Sequence, residues 1–348
     1  MYQTDRKRVV VLVIGYGNTG QAIAERLLAF TECDVIIGGP DEARALTLCN
    51  ALSINAGSRV SALTVDATDR ASLRTALQGV DLLVVAAGIP DYLEEIAKAS
   101  IETNTDYLDL WYSPSKRNRF KTLAEGAKRA GRLLLTECGM QPGLPGVVVR
   151  CLAQRFETIE SARVASYARA DWANLTFSPS TRVELKEPFA PFVMRNGTWQ
   201  DLPGERINGI DVDFGTKYGT RKCHPVFYGE LADVSRLVPS LRNLDFVLDQ
   251  AFGEPSPPPY FARLRGEAWG VRQGRPAHST ITIHHSDGFD LTALSVVACV
   301  RQWLPVFSRS SGLVSGGLWA DAEKTIFMLL EMGVVVEYQD SLEGGEAL

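Results

Sequence analysis

The stretch VVVLVIGYGNTGQAIAERLL, residues 9–28, decides how this chain begins to fold. An apolar run from Val9 to Ile14 leads straight into Gly15, Gly17 and Gly20, and then into a helical pattern. A buried strand, a tight glycine turn and a helix N-terminus follow one another without a gap. Such a turn aims backbone N–H groups and the positive end of a helix dipole at an anion. Gly15 permits the turn, Gly17 lets a pyrophosphate approach the backbone, and Gly20 lets the helix pack close to the strand. Tyr16, Asn18 and Thr19 complete the predicted cofactor-binding turn.

A lone glycine pattern is weak, but this one opens a regular series. Strands read at about 9–14, 34–38, 60–65, 81–86, 106–109 and 132–136, with helices at about 18–29, 41–52, 69–78, 91–103 and 116–130. Runs such as DLLVVAAG and RLLLTECG are apolar on both faces, as parallel strands under helices must be. The pattern predicts an α/β fold: a doubly wound, parallel-sheet Rossmann domain over 1–142. After Pro142–Pro145 the texture changes. A helix at 147–156 precedes strand-like runs at 161–168, 267–274 and 279–285, which predict a second α+β domain over 143–311 on a largely antiparallel sheet. Asn196-Gly197 and Asp287-Gly288 read as hairpin turns, and 205–225 and Pro255–Pro259 as irregular loops. Helical patterns return at 291–303 and 320–332, and a C-terminal helix within 312–348 is expected to pack back on the first domain.

The bulk numbers exclude several classes. The chain has 348 residues, 22% charged and 45% hydrophobic, with a formal net charge of −5. That suits a two-domain globular protein with no nucleic-acid surface. No uninterrupted apolar run reaches the ~18 residues of a membrane span. Arg6, Lys7 and Arg8 precede only six apolar residues before the glycine turn, too few for a signal peptide. Six scattered cysteines without a CxxC read as reduced thiols, hence a cytoplasmic protein.

Several strand ends carry candidate chemistry. The second strand closes with Gly38-Gly39-Pro40 where an NAD-selective site places an acid for the ribose hydroxyl. Without that carboxylate, and with Arg44 in reach of a 2′-phosphate, the cofactor expectation leans to NADP over NAD. Asp66 ends the third strand, facing adenine or capping the next helix; Ala86, Ala87 and Gly88 leave room after the fourth. Asp109 ends the fifth, where it would orient a substrate amine or relay a proton. Glu137 and Gln141 are predicted to face the substrate, whereas Cys138 lacks an evident base and reads as inert. In the segment KYGTRKCHPVFYG, Tyr218 and His224 are candidate proton carriers and Arg221 a carboxylate partner. His284 and His285 point to opposite faces of a strand, so no metal site is expected.

These stretches resemble the saccharopine dehydrogenase (saccharopine reductase-like) family. The matching motifs are VLVIGYGNTGQAIAERL, VDATD, DLLVVAAGIP, TDYLDL, GMQPGLPGVV and the late EAWGVRQGRPAHSTITI…LTALSVVACV…SGLVSGGLWADAE. The resemblance implies an NAD(P)-binding Rossmann domain, a second domain that often forms a homodimer, and redox chemistry at a carbon–nitrogen bond of an amino acid or polyamine. A small-molecule substrate is the implied partner. Gln141 replaces an aspartate common in the family, and Pro145 and Gly146 stand where polar side chains are common. The alternative is a non-catalytic NAD(P)-binding sensor on the same fold.

Overall fold

The computed structural model describes residues 8–171, 174, 192–201, 209–251, 256–306 and 310–342. The first strand, β1 (Val10–Ile14), splits its side chains between two cores. Val11 and Val13 enter the larger one, Leu12 and Ile14 the smaller, so both faces of its sheet are covered.

Helix α1 (Asn18–Phe30) leads to β2 (Asp34–Gly39), α2 (Glu42–Ala56) to β3 (Val60–Thr64), and α3 (Arg70–Ala76) to β4 (Leu82–Val85). Then α4 (Leu93–Glu102) precedes β5 (Asp106–Asp109), and α5 (Pro114–Ala130) precedes β6 (Leu133–Thr136). A seventh strand, β15 (Gly312–Ser315), comes from far along the chain and pairs parallel with β6. The order is β15-β6-β5-β4-β1-β2-β3, every pair parallel, with the strand order reversing between β1 and β4. That reversal is a topological switch point, beside which ligands bind at the strands' carboxyl ends.

The second unit begins with α6 (Leu144–Ala153) and β7 (Thr158–Arg169). It continues through β8 (Phe192–Arg195), β9 (Thr198–Asp201), β10 (Ile210–Asp213), β11 (Thr220–Pro225), α7 (Gly229–Leu237), β12 (Asn243–Asp249), β13 (Phe261–Arg272) and β14 (Arg275–His285). The chain ends through α8 (Gly288–Trp303), β15, α9 (Gly316–Trp319), α10 (Ala322–Glu331) and β16 (Val335–Leu342). Nine strands form this mixed sheet: β12 and β7 run parallel and the other pairs antiparallel. Helices α6 and α8 share one continuous core with both sheets.

Three expectations need correcting. Asp287-Gly288 is no hairpin: the Asp287 carboxylate accepts the N–H groups of Phe289 and Asp290 and caps α8. The 205–225 stretch holds β10 and β11, although residues 202–208 lie outside the described ones. The 312–342 segment is not one helix against the first domain, because β15 extends the first sheet and β16 extends the second. The helix and turn over Gly288–Val306 are long and apolar enough to cross a membrane by length and composition, although Asp290 and Arg301 interrupt the apolar run; here α8 packs against α1 and α10. Asn196-Gly197 does join β8 to β9 as a hairpin.

Candidate functional site

Gly15 sits at φ +113°, and a Cβ there would lie 2.8 Å from the Ala87 nitrogen. A Cβ on Gly20 would collide with the Gly15 carbonyl, so the turn and the helix touch backbone to backbone. Gly17 differs: a Cβ there would meet nothing within 4 Å. It is the N-cap residue of α1, with no side-chain cap and no acid in the first turn. By contrast α2, α3, α5, α8 and α10 are each capped by their own Asp or Ser side chain. Open space over Gly17 and uncapped N–H groups at Asn18 and Thr19 fit a pyrophosphate.

The adenosine side explains the missing carboxylate. The Tyr16 ring lies against Gly39, where any side chain would collide with it. Its hydroxyl accepts the Asp41 N–H at 2.9 Å, and the exposed Arg44 guanidinium stacks 4.6 Å from the ring centroid. Asp66 turns inward on its own loop. Its Oδ1 accepts the Thr68 N–H and hydroxyl, and these bonds hold the carboxyl below its ordinary range. Capping α3 falls to Asp69. Ala86 and Ala87 are half-buried after β4, beside Gly15.

At the ends of β5 and β6 the picture inverts. Asp109 is fully buried. Its Oδ2 accepts the Tyr107 hydroxyl at 2.7 Å; its Oδ1 takes Lys116 Nζ (2.7 Å), Trp111 N (3.1 Å), Thr136 Oγ1 (3.1 Å) and Glu137 N (3.3 Å). Four donors crowd Oδ1 and one meets Oδ2, so the carboxylate is engaged by its own surroundings and shut off from solvent. Sequence reasoning missed Lys116, which is 2% exposed and whose ammonium balances Asp109. The available signal was the Ser113-Pro114 helix start, which puts Lys116 in the first turn of α5 beside the strand end.

Glu137 is buried with a left-handed φ of +60°. Its Oε2 accepts the Glu230 N–H at 2.7 Å, and burial pushes its carboxyl up to about 7 against the pull of Lys116. Burial also pushes the Cys138 thiol well up. Gln141 precedes Pro142 through a cis peptide, and its buried Oε1 has no hydrogen-bond partner among the described residues. The Gly143 N–H donates to Glu230 Oε1 at 2.9 Å.

The remaining candidates gather on the second sheet. The Tyr218 hydroxyl lies 3.2 Å from His284 Nε2, and its ring packs on Phe261. Arg221 is engaged by Asp249 at 3.1 and 3.3 Å and lies over Tyr167. His224, on the same strand, pairs with Leu248. The structure therefore joins Asp109 and Glu137 directly, links Gln141 to them through the Gly143–Glu230 bond, gathers Tyr218 and Arg221 around Tyr167, and turns His224 to the other face of the second sheet. Among the described residues, no group of His, Cys, Asp and Glu is placed to hold a metal ion.

A cavity of about 550 Å³ opens where α1, α8 and the ends of β7 and β14 meet, lined by Asn18, Arg26, Arg169, Tyr260 and Asp290 among others. Arg26 and Asp290 pair through two bonds of 2.6 and 2.8 Å, which ties α1 to α8. Arg169 gives its Nε to the Tyr167 hydroxyl at 3.0 Å. One turn along α8, Thr292 packs under Gly139 of the Gln141 turn.

Residues 11–135 match the family model of the saccharopine dehydrogenase NADP binding domain. No curated protein matches the chain by sequence. Among solved structures, the L-Glu forming saccharopine dehydrogenase of Saccharomyces cerevisiae superposes with a TM-score of 0.72 at 14% identity, covering 96% of this chain and 100% of its own. A substituted meso-DAPDH from Clostridium tetani E88, solved with DAP, gives 0.53 at 14% identity, covering 91% and 96%. The C. glutamicum DAP dehydrogenase in complex with DAP gives 0.50 at 16%, covering 94% and 99%. Residues 11–135 are therefore similar in sequence to a saccharopine dehydrogenase NADP binding domain, and the chain as a whole shares the fold of the yeast enzyme.

Proposed function

We propose that this protein is an NADP-dependent oxidoreductase acting at a carbon–nitrogen bond of an amino-acid- or polyamine-type substrate. The observation that carries the reading is the uncapped α1 N-terminus with open space over Gly17, inside a domain of NADP-binding type. The NADP preference rests on Arg44 stacked over Tyr16 at the end of β2, where no carboxylate repels a 2′-phosphate. A bound nicotinamide supplies the redox chemistry by giving or taking a hydride. The chain's own residues bind and orient. Gln141 Oε1, buried without a donor, accepts an N–H from an amine or iminium nitrogen. The terminal nitrogens of Arg169, on the wall of the 550 Å³ cavity, pair with a carboxylate. Asp109 contributes by fixing the edge formed by β5, β6 and Lys116 rather than by touching substrate.

The test is a pair of fluorescence titrations with NADPH and NADH, followed by turnover assays. The assays pair 2-oxo acids with amino acids or diamines, and run the oxidations in reverse. NADPH should bind more tightly than NADH, and at least one pair should consume it. If neither nucleotide binds, the reading is wrong. Binding without any turnover would favour the sensor, a second reading supported by the full burial of Asp109, the strand-end acid best placed for chemistry.

A further inference from the structure

The fold buries a pair of acids that the proposed chemistry does not use. Glu137 follows β6; Glu230 is the second residue of α7. Neither α6 nor α7 has a side-chain cap of its own. Glu137 Oε2 takes the Glu230 N–H in the first turn of α7, and Glu230 Oε1 takes the N–H of Gly143, the N-cap residue of α6. Each carboxyl thus caps a helix the other element needs, across the junction of the two sheets. Glycines clear the room. A Cβ on Gly229 would lie 2.5 Å from Glu137 Oε1, one on Gly146 2.7 Å from Glu230 Oε2, and one on Gly317 would collide with that same oxygen.

The pair is unequal. Lys116 and Arg117 of α5 face Glu137 and favour its ionised form, against Asp109 of β5. Glu230 faces Glu137, Cys299 of α8, Tyr228 and, across α6, Arg150. Its Oε2 is buried without a well-formed hydrogen bond among the described residues; the Gly143 and Gly146 N–H groups favour the ionised carboxyl, but burial and Glu137 outweigh them. A buried carboxylate oxygen without a well-formed bond is strongly disfavoured, whereas a protonated one is tolerated.

We propose that Glu137 and Glu230 are positioning residues that form a latch across the two sheets: each carboxyl accepts an N–H at the start of a helix, and the closed latch fixes the 139–143 turn that carries Gln141. The latch stands on its own geometry; only the use made of Gln141 rests on the proposed function. Burial and the neighbouring Glu137 both raise the Glu230 carboxyl well above its ordinary range. A carboxyl raised in the folded state stabilises fully below its unfolded value and loses that contribution as pH rises towards its folded one. The raised carboxyl therefore makes unfolding easier as pH climbs above the ordinary glutamate range.

The experiment compares wild type with Glu230→Gln, whose amide still accepts from Gly143 but carries no proton to lose. The ratio of their unfolding equilibrium constants, wild type over variant, should rise by up to about tenfold per pH unit as pH climbs from about 5, just above the ordinary glutamate value. A ratio that does not change with pH overturns the proposal. Should the variant not fold, hydrogen exchange at the Gly143 amide of wild type decides, after correction for its intrinsic rate. The opening constant should climb with the same pH dependence, and a flat one overturns the latch. NADPH affinity should match in the two proteins, so a failed latch and a failed cofactor reading register separately.

Discussion

The edge of the first sheet is built in two opposite ways. At β1 and β2 it is left open: α1 has no cap, Gly17 faces empty space, and Arg44 is exposed on a tyrosine ring. At β5 and β6 it is closed: Asp109, Lys116 and Glu137 are buried and every donor in reach of Asp109 is taken. Buried polar groups cost free energy unless paired, so a finished network is architecture. An unfinished one, held rigid by close backbone contact, awaits a ligand. Perturbing each edge should therefore hurt a different property.

The largest effect belongs to the closed edge. Lys116→Met leaves Asp109 buried without its ammonium, and such a loss destabilises by about 3–5 kcal/mol. Chemical denaturation should show it, with NADPH affinity preserved in whatever remains folded. Asp109→Asn combined with Lys116→Met removes both charges and should recover much of the loss. If Lys116→Met alone proved neutral, the contrast between the edges would fail.

The open edge should respond in the reverse sense. Gly17→Val puts a side chain where nothing contacts it, so stability should stay within about 0.5 kcal/mol of wild type. That side chain fills the space a pyrophosphate needs. NADPH affinity should fall at least about a hundredfold, roughly 2.7 kcal/mol. Gly20→Ala is the control: its Cβ meets the Gly15 carbonyl, so it should damage the turn and the fold together. Unchanged affinity in Gly17→Val would remove the anion site from this turn.

The same contrast governs what the sequence could reveal. The open edge is local: Gly15, Gly17 and Gly20 lie within one turn, and their order after Val9–Ile14 is enough. The first six strands are as legible, because burial on both faces makes each a short apolar run. The closed edge is not local. Asp109 is placed by its strand, yet its partners Lys116, Thr136 and Glu137 come from α5 and from β6 and the residue after it. No spacing rule ties Glu230 to Glu137, which lie 93 positions apart. Strand β15 was hidden for a related reason: GLVS is short and half-buried, and only pairing with β6 makes it a strand. Strand β16 has no buried residue, is half exposed and mostly polar, and lacks the apolar alternation that marks a half-buried strand. Asp287-Gly288 misled because aspartate before glycine suits a hairpin turn and a helix cap alike; the apolar helix that follows decided for the cap.

The smallest effect sharpens the open edge into a specificity. Arg44 is exposed, and its charge reaches a ligand through solvent, so its contribution is modest and screened by salt. Arg44→Ala should weaken NADPH binding by about three- to tenfold and leave NADH binding unchanged, because only the former carries the extra phosphate. The difference should shrink in high salt, which separates a charge contact from a change of shape. Tyr16→Ala should act in the same direction. It removes both the ring under Arg44 and the hydroxyl that accepts from Asp41, freeing the guanidinium from its place at the end of β2. If Arg44→Ala weakened both nucleotides equally, the arginine would be supporting the shape of the turn, and the preference for NADP would have to come from elsewhere on this edge.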